Sequence, residues 1–303
     1  MHLQLSGLDK YRHVVFTDPS GSTARIVNLA PKVRLEPADG HGKAALTDEE
    51  QQFVRSLFAC AGLDAGSYRS ESIRRRLHAA LRALRATSIL EARWALARTS
   101  SLVHVAIDAM VIGVSSFFRD AAVFDQVAAS VIPSLSVLQR PARIWSVGCS
   151  DGQELYSVAM LLAEQNLLDG CYLLGTDCRI DAIQRARDGI FAKSALLSVP
   201  VPWVEKYFTR EDENRWQIAS SLRTAVQWRT ADATRIPEPG AWDLILCRNM
   251  AMYLRSEVSG NLWRSLEAVL KPGGFLALGK AERPAGAVRL SPFGPCIYRR
   301  DKG

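Results

Sequence analysis

Residues 142–164 read ARIWSVGCSDGQELYSVAMLLAE: a short apolar run, a turn that contains two glycines, and a longer amphipathic run. The first run has the length and composition of a strand inside a sheet. The helical period begins at Glu154, two residues after the second glycine of the turn, Gly152. A strand that passes through a glycine turn into a helix is the first half of a βαβ unit, and it predicts a parallel sheet.

The same alternation continues toward the C-terminus. Apolar strand-like runs lie at 171–177, 242–249 and 275–279, and helical runs lie at 180–191 and 258–270. Strands that alternate with helices of about 10–15 residues are typical of a parallel sheet covered by helices on both faces. The second half of the chain is therefore predicted to have an α/β fold.

The first half of the chain carries helical patterns. Thr47 and Glu50 have the spacing of a capping box at the start of a helix. Further helices are predicted at about 68–86, 88–98, 101–111 and 120–130. Before them, VVFTDPSGSTARIVNL (14–29) predicts two short strands around a turn at Pro19–Gly21.

These patterns divide the chain into three parts. Residues 1–43 form an irregular extension, residues 44–130 an all-helical domain, and residues 131–303 the α/β domain. A chain of this length is about right for two domains.

The composition is that of an ordinary globular protein, with 48% hydrophobic and 23% charged residues. The six cysteines form no C-x-x-C pair, so we expect no metal site. The N-terminus lacks a signal-peptide pattern, and no apolar run approaches the roughly 18 residues of a membrane span, so we expect a cytoplasmic protein without membrane insertion. The formal charge of +7 permits several classes of acidic partner and does not choose among them.

The glycine turn at 148–152 is the first candidate for ligand binding. Glycines there let the backbone approach a ligand and direct the amide groups of the following helix toward it. The alternative is that the turn only joins strand to helix. The pattern lacks the G-x-G-x-x-G spacing of dinucleotide-binding proteins, which argues against NAD.

Polar residues follow the later strands. Asp177 ends the second strand, where a carboxylate can accept both hydroxyls of a ribose; the alternative is a cap for the next helix. Asp232 follows a predicted strand at 225–230 and is either an adenine contact or a solvated turn residue. Arg248 and Asn249 close the next strand, where two polar residues are hard to explain as core.

Six segments together carry a more specific signal than any single turn. They are SSFFRD (115–120), WSVGCSDGQELYSVAMLLAE (145–164), GTDCRIDAIQRARDGIF (175–191), KYF (206–208), LILCRNMAMYL (244–254) and LKPGGFLALGKAE (270–282). In this order they resemble the motifs of the CheR family, the chemotaxis protein-glutamate O-methyltransferases. The resemblance covers about residues 45–300.

The resemblance implies a Rossmann-like class I methyltransferase domain that follows an N-terminal helical domain. It also implies a small antiparallel β-subdomain, inserted here at about 208–230. The cofactor implied is S-adenosylmethionine, which is converted to S-adenosylhomocysteine, and no metal is implied.

The resemblance also assigns residues to the cofactor. Carried over motif by motif, these are Ser115, Arg119, Gly148, Ser150, Gly152, Gln153, Glu154, Asp177, Asp232, Ala233, Arg248 and Asn249. Ser115 and Arg119 would meet the methionyl end of the cofactor. Asp177 would hold the ribose, and Asp232 and Ala233 would lie beside the adenine.

For the methyl acceptor, the resemblance implies a glutamate carboxylate that docks beside Arg119 and Tyr253, which would act in catalysis. An ionised carboxylate needs no base, so catalysis is mainly the positioning of the reactants.

The family also implies that the arginine-rich helix, the one predicted at about 68–86, docks on the acidic helical region of a chemoreceptor. Its candidate docking residues are Arg69, Arg74, Arg75 and Arg76. The alternative is a solvated helix face; a nucleic-acid site is disfavoured because the patch lacks interleaved aromatic residues.

Three departures from the family pattern bear on these expectations. Gly113 stands where Asn is frequent, and Gln153 replaces a usual glutamate, which points to reduced cofactor affinity or a different acceptor. Residues 209–221 contain no glycine, unlike members that grip a receptor's C-terminal pentapeptide, so we expect no such tether. Two alternatives stay open: a CheR-like methyltransferase with another acceptor, and a signalling module that binds S-adenosylmethionine or S-adenosylhomocysteine without turnover.

Overall fold

The computed structural model describes residues 15–17, 23–25, 45–111, 113, 115–235, 238–286 and 289–302. In the N-terminal extension, β1 (Val15–Thr17) and β2 (Thr23–Arg25) pair in antiparallel fashion. This confirms the two short strands expected there, whereas the turn expected at Pro19–Gly21 lies outside the described residues.

Four helices form the N-terminal helical part: α1 (Asp48–Cys60), α2 (Ser70–Ala83), α3 (Ile89–Arg98) and α4 (Leu102–Met110). At the start of α1, Thr47 Oγ1 accepts a hydrogen bond from Glu50 N at 3.2 Å, and Glu50 Oε2 accepts one from Thr47 N at 2.8 Å. This confirms the capping box. Apolar side chains at helical spacing, such as Phe53 and Leu57 of α1, are buried in a core whose fully buried members all come from this part.

The remaining helices are α5 (Ala121–Gln126), α6 (Ile132–Ser136), α7 (Gln153–Glu164), α8 (Ile180–Asp188), α9 (Val201–Tyr207), α10 (Ser220–Ala225) and α11 (Ser256–Val269). The strands are β3 (Arg143–Val147), β4 (Tyr172–Asp177), β5 (Ile190–Ala192), β6 (Phe208–Arg210), β7 (Arg215–Ile218), β8 (Val226–Thr230), β9 (Trp242–Cys247), β10 (Leu270–Leu278), β11 (Leu290–Gly294) and β12 (Ile297–Arg300).

Seven of these strands form one sheet in the order β11-β12-β10-β9-β3-β4-β8. The five strands from β10 to β8 run parallel. At one edge, β12 pairs with β10 in antiparallel fashion, and β11 pairs with β12 in the same way. This confirms the predicted α/β, Rossmann-like fold class. The parallel strands bring the ends of β3, β4, β8 and β9 to the same edge of the sheet, which is where the candidate residues were predicted.

Helices cover both faces of the sheet because successive strand residues point to opposite sides. In β9, Leu244 and Leu246 lie in the core that contains α7, whereas Ile245 and Cys247 lie in the core that contains α11. All four side chains are fully buried. The continuous apolar run of this strand follows from burial on both faces.

A separate three-stranded antiparallel sheet has the order β5-β7-β6 and confirms the small β-subdomain. Its bounds differ from the predicted 208–230, because β5 lies before that range and Val226–Thr230 is a strand of the main sheet, paired with β4. The helix predicted at 180–191 ends at Asp188. Gly189, with a φ of 64°, caps it in the left-handed conformation and starts the small sheet.

The predicted domain boundary at 130/131 coincides with no break between helices. It falls inside a helical segment that runs from α5 through a π-helical turn (Val127–Val131) into α6. Phe124, Val127 and Val131 of this segment are buried in the core of the sheet part, not with the N-terminal helices. The helical pattern showed which face is apolar but not which core that face would join.

The N-terminal helices are joined to the sheet part by backbone contacts. Arg69 N donates to Tyr253 O at 2.9 Å, and Arg255 N donates to Ser67 O at 2.9 Å. Arg69 Nε also donates to Leu254 O at 2.8 Å. The start of α2 is thereby held against the segment that follows β9. Among the described helices, none combines the length and apolar composition that crossing a membrane requires.

The ring of Trp228 in β8 packs against two glycines. A Cβ added to Gly175 of β4 would lie 2.3 Å from Trp228 Cζ3, and one added to Gly152 would lie 2.6 Å from Trp228 Cη2. Gly152 also has a φ of 87°. The ring therefore fills the space beside β4 and the start of α7 only because both positions lack a side chain.

We expect Gly175→Ala to lower the free energy of unfolding by about 1–3 kcal/mol, because the added methyl group overpacks the Trp228 ring. Urea denaturation measures the change. The matched control is Gly260→Ala in α11, where the nearest atom, Arg264 Nη1, is 3.9 Å away. This control should stabilise the protein by about 0.5–1 kcal/mol through helix propensity. Equal effects of the two substitutions would contradict the packing argument.

Candidate functional site

The turn between β3 and α7 has an unusual backbone. Gly148, Ser150 and Gly152 all have positive φ values, of 66°, 53° and 87°. Cys149 N donates to Thr176 O at 2.9 Å, so the turn is attached to the neighbouring strand β4. The chain enters α7 directly after Gly152, which leaves the first amide groups of a 12-residue helix at the edge of the sheet.

Asp177 lies at the end of β4, only 4% exposed, and its carboxylate connects three segments. Asp177 Oδ2 accepts a hydrogen bond from Ser150 N at 2.9 Å, and Oδ1 accepts one from Arg179 N at 3.0 Å. The carboxylate thus lies beside the glycine turn and also braces the entry to α8. The N-cap of that helix is Arg179, so Asp177 acts from two residues before the cap.

Arg179 was not identified from the sequence and is central to this edge of the sheet. Its side chain is 4% exposed, with Nε 3.0 Å from Asp177 Oδ1 and Nη1 3.1 Å from Asp108 Oδ1. Burial alone would lower the pKa of Arg179, but the charge and hydrogen bonds of Asp177, with the charge of Asp108, raise it overall. The guanidinium therefore stays charged.

The same guanidinium explains the glycine at position 113. A Cβ on Gly113 would lie 1.9–2.1 Å from Arg179 Nη2, Nη1 and Cζ. The Asn that is frequent in the CheR family would thus overlap the arginine in this position. Gly113 O also accepts a hydrogen bond from Ser150 Oγ at 2.9 Å, which ties the segment to the glycine turn.

Gln153 is the first residue of α7 and is 7% exposed. Its Oε1 atom is buried and has no hydrogen-bond partner among the described residues. A buried acceptor without a donor costs about 1–3 kcal/mol, so such atoms call for an explanation. A ligand that brings a donor to the start of α7 would satisfy this atom.

Glu154 and Arg248 form a buried ion pair, with Arg248 Nη1 2.9 Å from Glu154 Oε2. Glu154 Oε1 also accepts from Ser146 Oγ at 2.8 Å. Arg248 Nη2 reaches Asp120 Oδ2 at 3.1 Å and the backbone oxygen of Arg119 at 2.5 Å. Both predicted site residues are therefore engaged within the protein, and they position the segment that carries Arg119.

Asp232 has the contacts of a turn residue. Its Oδ1 accepts from Thr234 N at 2.9 Å and from Thr234 Oγ1 at 2.7 Å. Tyr68, from the N-terminal helical part, lies near this carboxylate. The pKa of the Tyr68 hydroxyl is raised well above 10.0, first by burial and then by the charges of Cys178, Asp232 and Asp177. Tyr68 was not identified from the sequence, because nothing local marks a tyrosine before α2 as part of this edge.

The segment after β9, which carries Asn249 and Tyr253, is held by Glu282. This buried carboxylate accepts from Asn249 N at 2.7 Å, Gly279 N at 2.9 Å, Met250 N at 3.0 Å and Met252 N at 3.2 Å. Asn249 has a φ of 57°, and Tyr253 lies half-buried in a 3-10 turn (Ala251–Tyr253). Glu282 stands within a quoted motif, but its role depends on contacts about 30 positions away.

The remaining predicted residues lie in different places. Ser115 and Arg119 are half-buried on the segment beside the glycine turn, and Ala233 packs against the core that contains α11. The arginine-rich helix lies in the N-terminal part. Arg75 pairs with Glu71 on its surface, and Arg69 is used in the contact with Leu254.

Of the two charged residues that extend the Asp177 network, only one carries a signal in the sequence. Arg179 stands two positions after Asp177, and that spacing was a usable signal. Asp108 carries no signal, since it is an isolated carboxylate in α4, 71 positions before its partner. Within the part of the chain that the structure describes, no three His, Cys, Asp or Glu side chains are grouped so as to hold a metal ion.

Comparison with known proteins gives a consistent result. Residues 113–290, more than half of the chain, match the family described as CheR methyltransferase, SAM binding domain. A chemotaxis protein methyltransferase of Vibrio anguillarum is 28% identical over 251 residues, which cover 80% of this chain and 91% of that protein. One of Borreliella burgdorferi is 29% identical over 196 residues, which cover 61% and 69%. The solved structure of the glycopeptide N-methyltransferase MtfA complexed with sinefungin aligns over 55% of this chain and 54% of the MtfA chain, at 12% sequence identity. Its TM-score of 0.33 is too low to support a conclusion.

We expect Glu282→Gln to lower the free energy of unfolding by about 2–4 kcal/mol, because the amide NH₂ group would face backbone donors that now reach a carboxylate oxygen. Urea denaturation measures the loss. Glu257→Gln, an exposed substitution in the first turn of α11, serves as the control and should change the value by less than about 0.5 kcal/mol. A similar small change for both variants would show that Glu282 does not hold the segment.

Proposed function

Because the chain belongs to the CheR methyltransferase family, we propose that it transfers a methyl group from S-adenosylmethionine to glutamate carboxylates of a chemoreceptor or chemosensory-like protein. The products are a protein methyl ester and S-adenosylhomocysteine. The relatives named above are chemotaxis protein methyltransferases, which supports this class of acceptor. A cytoplasmic location is part of the same proposal.

The observation that carries the cofactor assignment is the unpartnered Oε1 atom of Gln153. The methionyl end of the cofactor has an ammonium group, which is a strong hydrogen-bond donor. Gln153 offers a buried acceptor beside the glycine turn, at the start of α7. The residues present thus fit the cofactor at this end, although an amide attracts an ammonium less strongly than the usual glutamate would.

The other cofactor contacts are proposed from position. Asp177 would accept the ribose hydroxyls, since it ends β4 at the edge where α/β proteins bind nucleotides. Asp232 and Ala233 would lie beside the adenine. Ser115 and Arg119 would meet the methionyl end from the opposite side of the glycine turn.

In the proposed reaction the cofactor supplies an electrophilic methyl group, and the acceptor glutamate is already ionised near neutral pH. The protein then needs to hold the carboxylate in line with the bond between the methyl group and the sulfonium sulfur, rather than to remove a proton. Tyr253 would donate a hydrogen bond to the carboxylate from the segment that Glu282 holds. Arg119 would orient the carboxylate by charge, at some cost in nucleophilicity.

Docking of the acceptor is proposed at the arginine-rich helix α2. Arg74 and Arg76 form no ion pair among the described residues, and Arg75 has only the exposed pair with Glu71. Their charges therefore remain available to an acidic helical partner. No pentapeptide tether is proposed, because the β6-β7 connection is a short glycine-free turn closed by Asp212, which accepts from Asn214 N and Arg215 N. Neither nucleic acid nor a metal enters the proposal.

We expect Gln153→Met to weaken cofactor binding about tenfold, since it removes the acceptor but keeps a similar volume. Its thermal stability should be unchanged or higher, because a buried atom without a partner is removed. Gln153→Glu should bind several-fold more tightly than the original protein, because a carboxylate makes the stronger bond to an ammonium. Calorimetric titration with S-adenosylmethionine and S-adenosylhomocysteine measures both effects.

Gln184→Met on the exposed side of α8 is the control for the Gln153 variants and should leave affinity within about twofold. If Gln153→Met bound the cofactor as tightly as the original protein, the methionyl end would not lie at the start of α7. If neither ligand bound at millimolar concentration, the cofactor assignment itself would fail.

For the acceptor, we expect the double substitution Arg74→Glu with Arg75→Glu to lower methyl transfer to a chemoreceptor cytoplasmic fragment by about tenfold or more at low salt. Cofactor affinity should stay unchanged. Labelled-methyl incorporation and calorimetry measure the two quantities. Arg264→Glu, an exposed arginine on α11, is the control. An equal loss in the control would assign the effect to net charge, and cofactor binding without any receptor methylation would indicate a different acceptor or a non-catalytic module.

A further inference from the structure

We propose that Arg179 is a positioning residue that competes with the cofactor for Asp177, so that the ribose can bind only when the guanidinium leaves the carboxylate. This inference rests on the proposed role of Asp177 in holding the ribose. It concerns a residue outside the assigned cofactor set and sets the affinity with which the protein holds its cofactor.

The first support is the number of hydrogen bonds on Asp177. A carboxylate has about four acceptor directions, two on each oxygen. Oδ1 receives Arg179 N and Arg179 Nε, both at 3.0 Å, and Oδ2 receives Ser150 N at 2.9 Å and Arg179 Nη2 at 3.3 Å. Every direction is thus in use, and a ribose hydroxyl has no acceptor to which it can donate.

The second support is which of these contacts can be released. Two come from backbone amides and belong to the fold of the glycine turn and the α8 entry. The other two come from the Arg179 side chain, one on each oxygen. Release of the guanidinium therefore frees one acceptor position per oxygen, which matches the two adjacent hydroxyls of a ribose.

The third support is space. The guanidinium lies where a Cβ of residue 113 would be, at the start of the segment that carries Ser115 and Arg119. Any side chain at that position would drive the guanidinium away from Asp177. The glycine at 113 and the arginine at 179 thus depend on each other, which gives a physical reason for the departure from Asn noted in the sequence.

The fourth support is that the displaced arginine keeps a partner. Asp108 on α4 is 3.1 Å from Arg179 Nη1, and its side chain is 32% exposed. A charge that left Asp177 for this more exposed carboxylate would not be stranded in the interior. Asp108 also pairs with Arg185, which pairs with Asp151 at 3.0 Å, so two arginines share three carboxylates at this edge. Helix α4 of the N-terminal part is thereby linked to the occupancy of Asp177.

The test is calorimetric titration of the full chain with S-adenosylmethionine and S-adenosylhomocysteine. Arg179→Met removes the competing donors and leaves an unbranched apolar side chain in their place. We expect it to bind both ligands about tenfold more tightly than the original protein, equivalent to ~1.4 kcal/mol. If Arg179 only supported the site, its substitution would weaken the binding of both ligands instead. Arg185→Met is the matched control, because it removes an arginine from Asp108 and Asp151 without touching Asp177, and it should stay within about twofold.

A second variant approaches the same contact from the other side. Gly113→Ala should push the guanidinium off Asp177 and tighten binding while Arg179 is present, and it should have little effect in the Arg179→Met background. This coupling distinguishes competition from a general loosening of the site. If thermal unfolding shows that Arg179→Met folds poorly, Gly113→Ala alone still tests the proposal: tighter binding supports the competition, and weaker or unchanged binding overturns it.

The outcomes separate the two proposals. Weaker or unchanged binding in a folded Arg179→Met protein, with normal binding in the original, overturns the competition and leaves the proposed function standing. Tighter binding that persists when Asp177→Ala is added shows that Asp177 is not the site of competition and also overturns it. No binding of either ligand to any variant overturns both the competition and the cofactor assignment.

Discussion

The carboxylate of Asp177 is the group on which the rest of this edge of the sheet depends. It is almost completely buried at the end of a parallel strand, where a carboxylate must be surrounded by hydrogen-bond donors. Ser150 N and Arg179 N supply two donors, so the turn after β3 and the entry to α8 are held against each other. The Arg179 side chain supplies the others and, through Asp108, brings α4 of the N-terminal part into the same network.

The same requirement recurs at two other buried carboxylates. Glu154 links Ser146 of β3 to Arg248 after β9, and Arg248 in turn holds the backbone of Arg119. Glu282 collects four backbone amides from two neighbouring turns. In both cases one buried charge orders a segment that lacks regular hydrogen bonding of its own. The apolar core ends with the strands, and charge determines the structure from that point to the candidate site.

Prediction from the sequence succeeded where the interacting residues are close together along the chain and failed where they are far apart. The capping box at Thr47 and the strand-helix alternation were predicted correctly because their signals lie within a few residues. The helix predicted to 191 ended at Asp188 because Gly189 favours the left-handed cap. The core that the segment from α5 to α6 joins could not be predicted, because an amphipathic pattern shows that one face is buried without showing what covers it. Six ordered motifs identified the family although each was weak alone.

Local sterics and the alternation of apolar residues encode the period of each element, the glycine turn, and the position of a carboxylate at the end of β4. The partners of the charged and polar groups depend instead on tertiary contacts: Arg179 turns back onto Asp177, Asp108 contacts Arg179 from 71 positions away, and Gln153 Oε1 has no donor among the described residues. The physical reason is that a side chain's preferences are encoded locally, whereas its partner is set by which segments the packed core brings together.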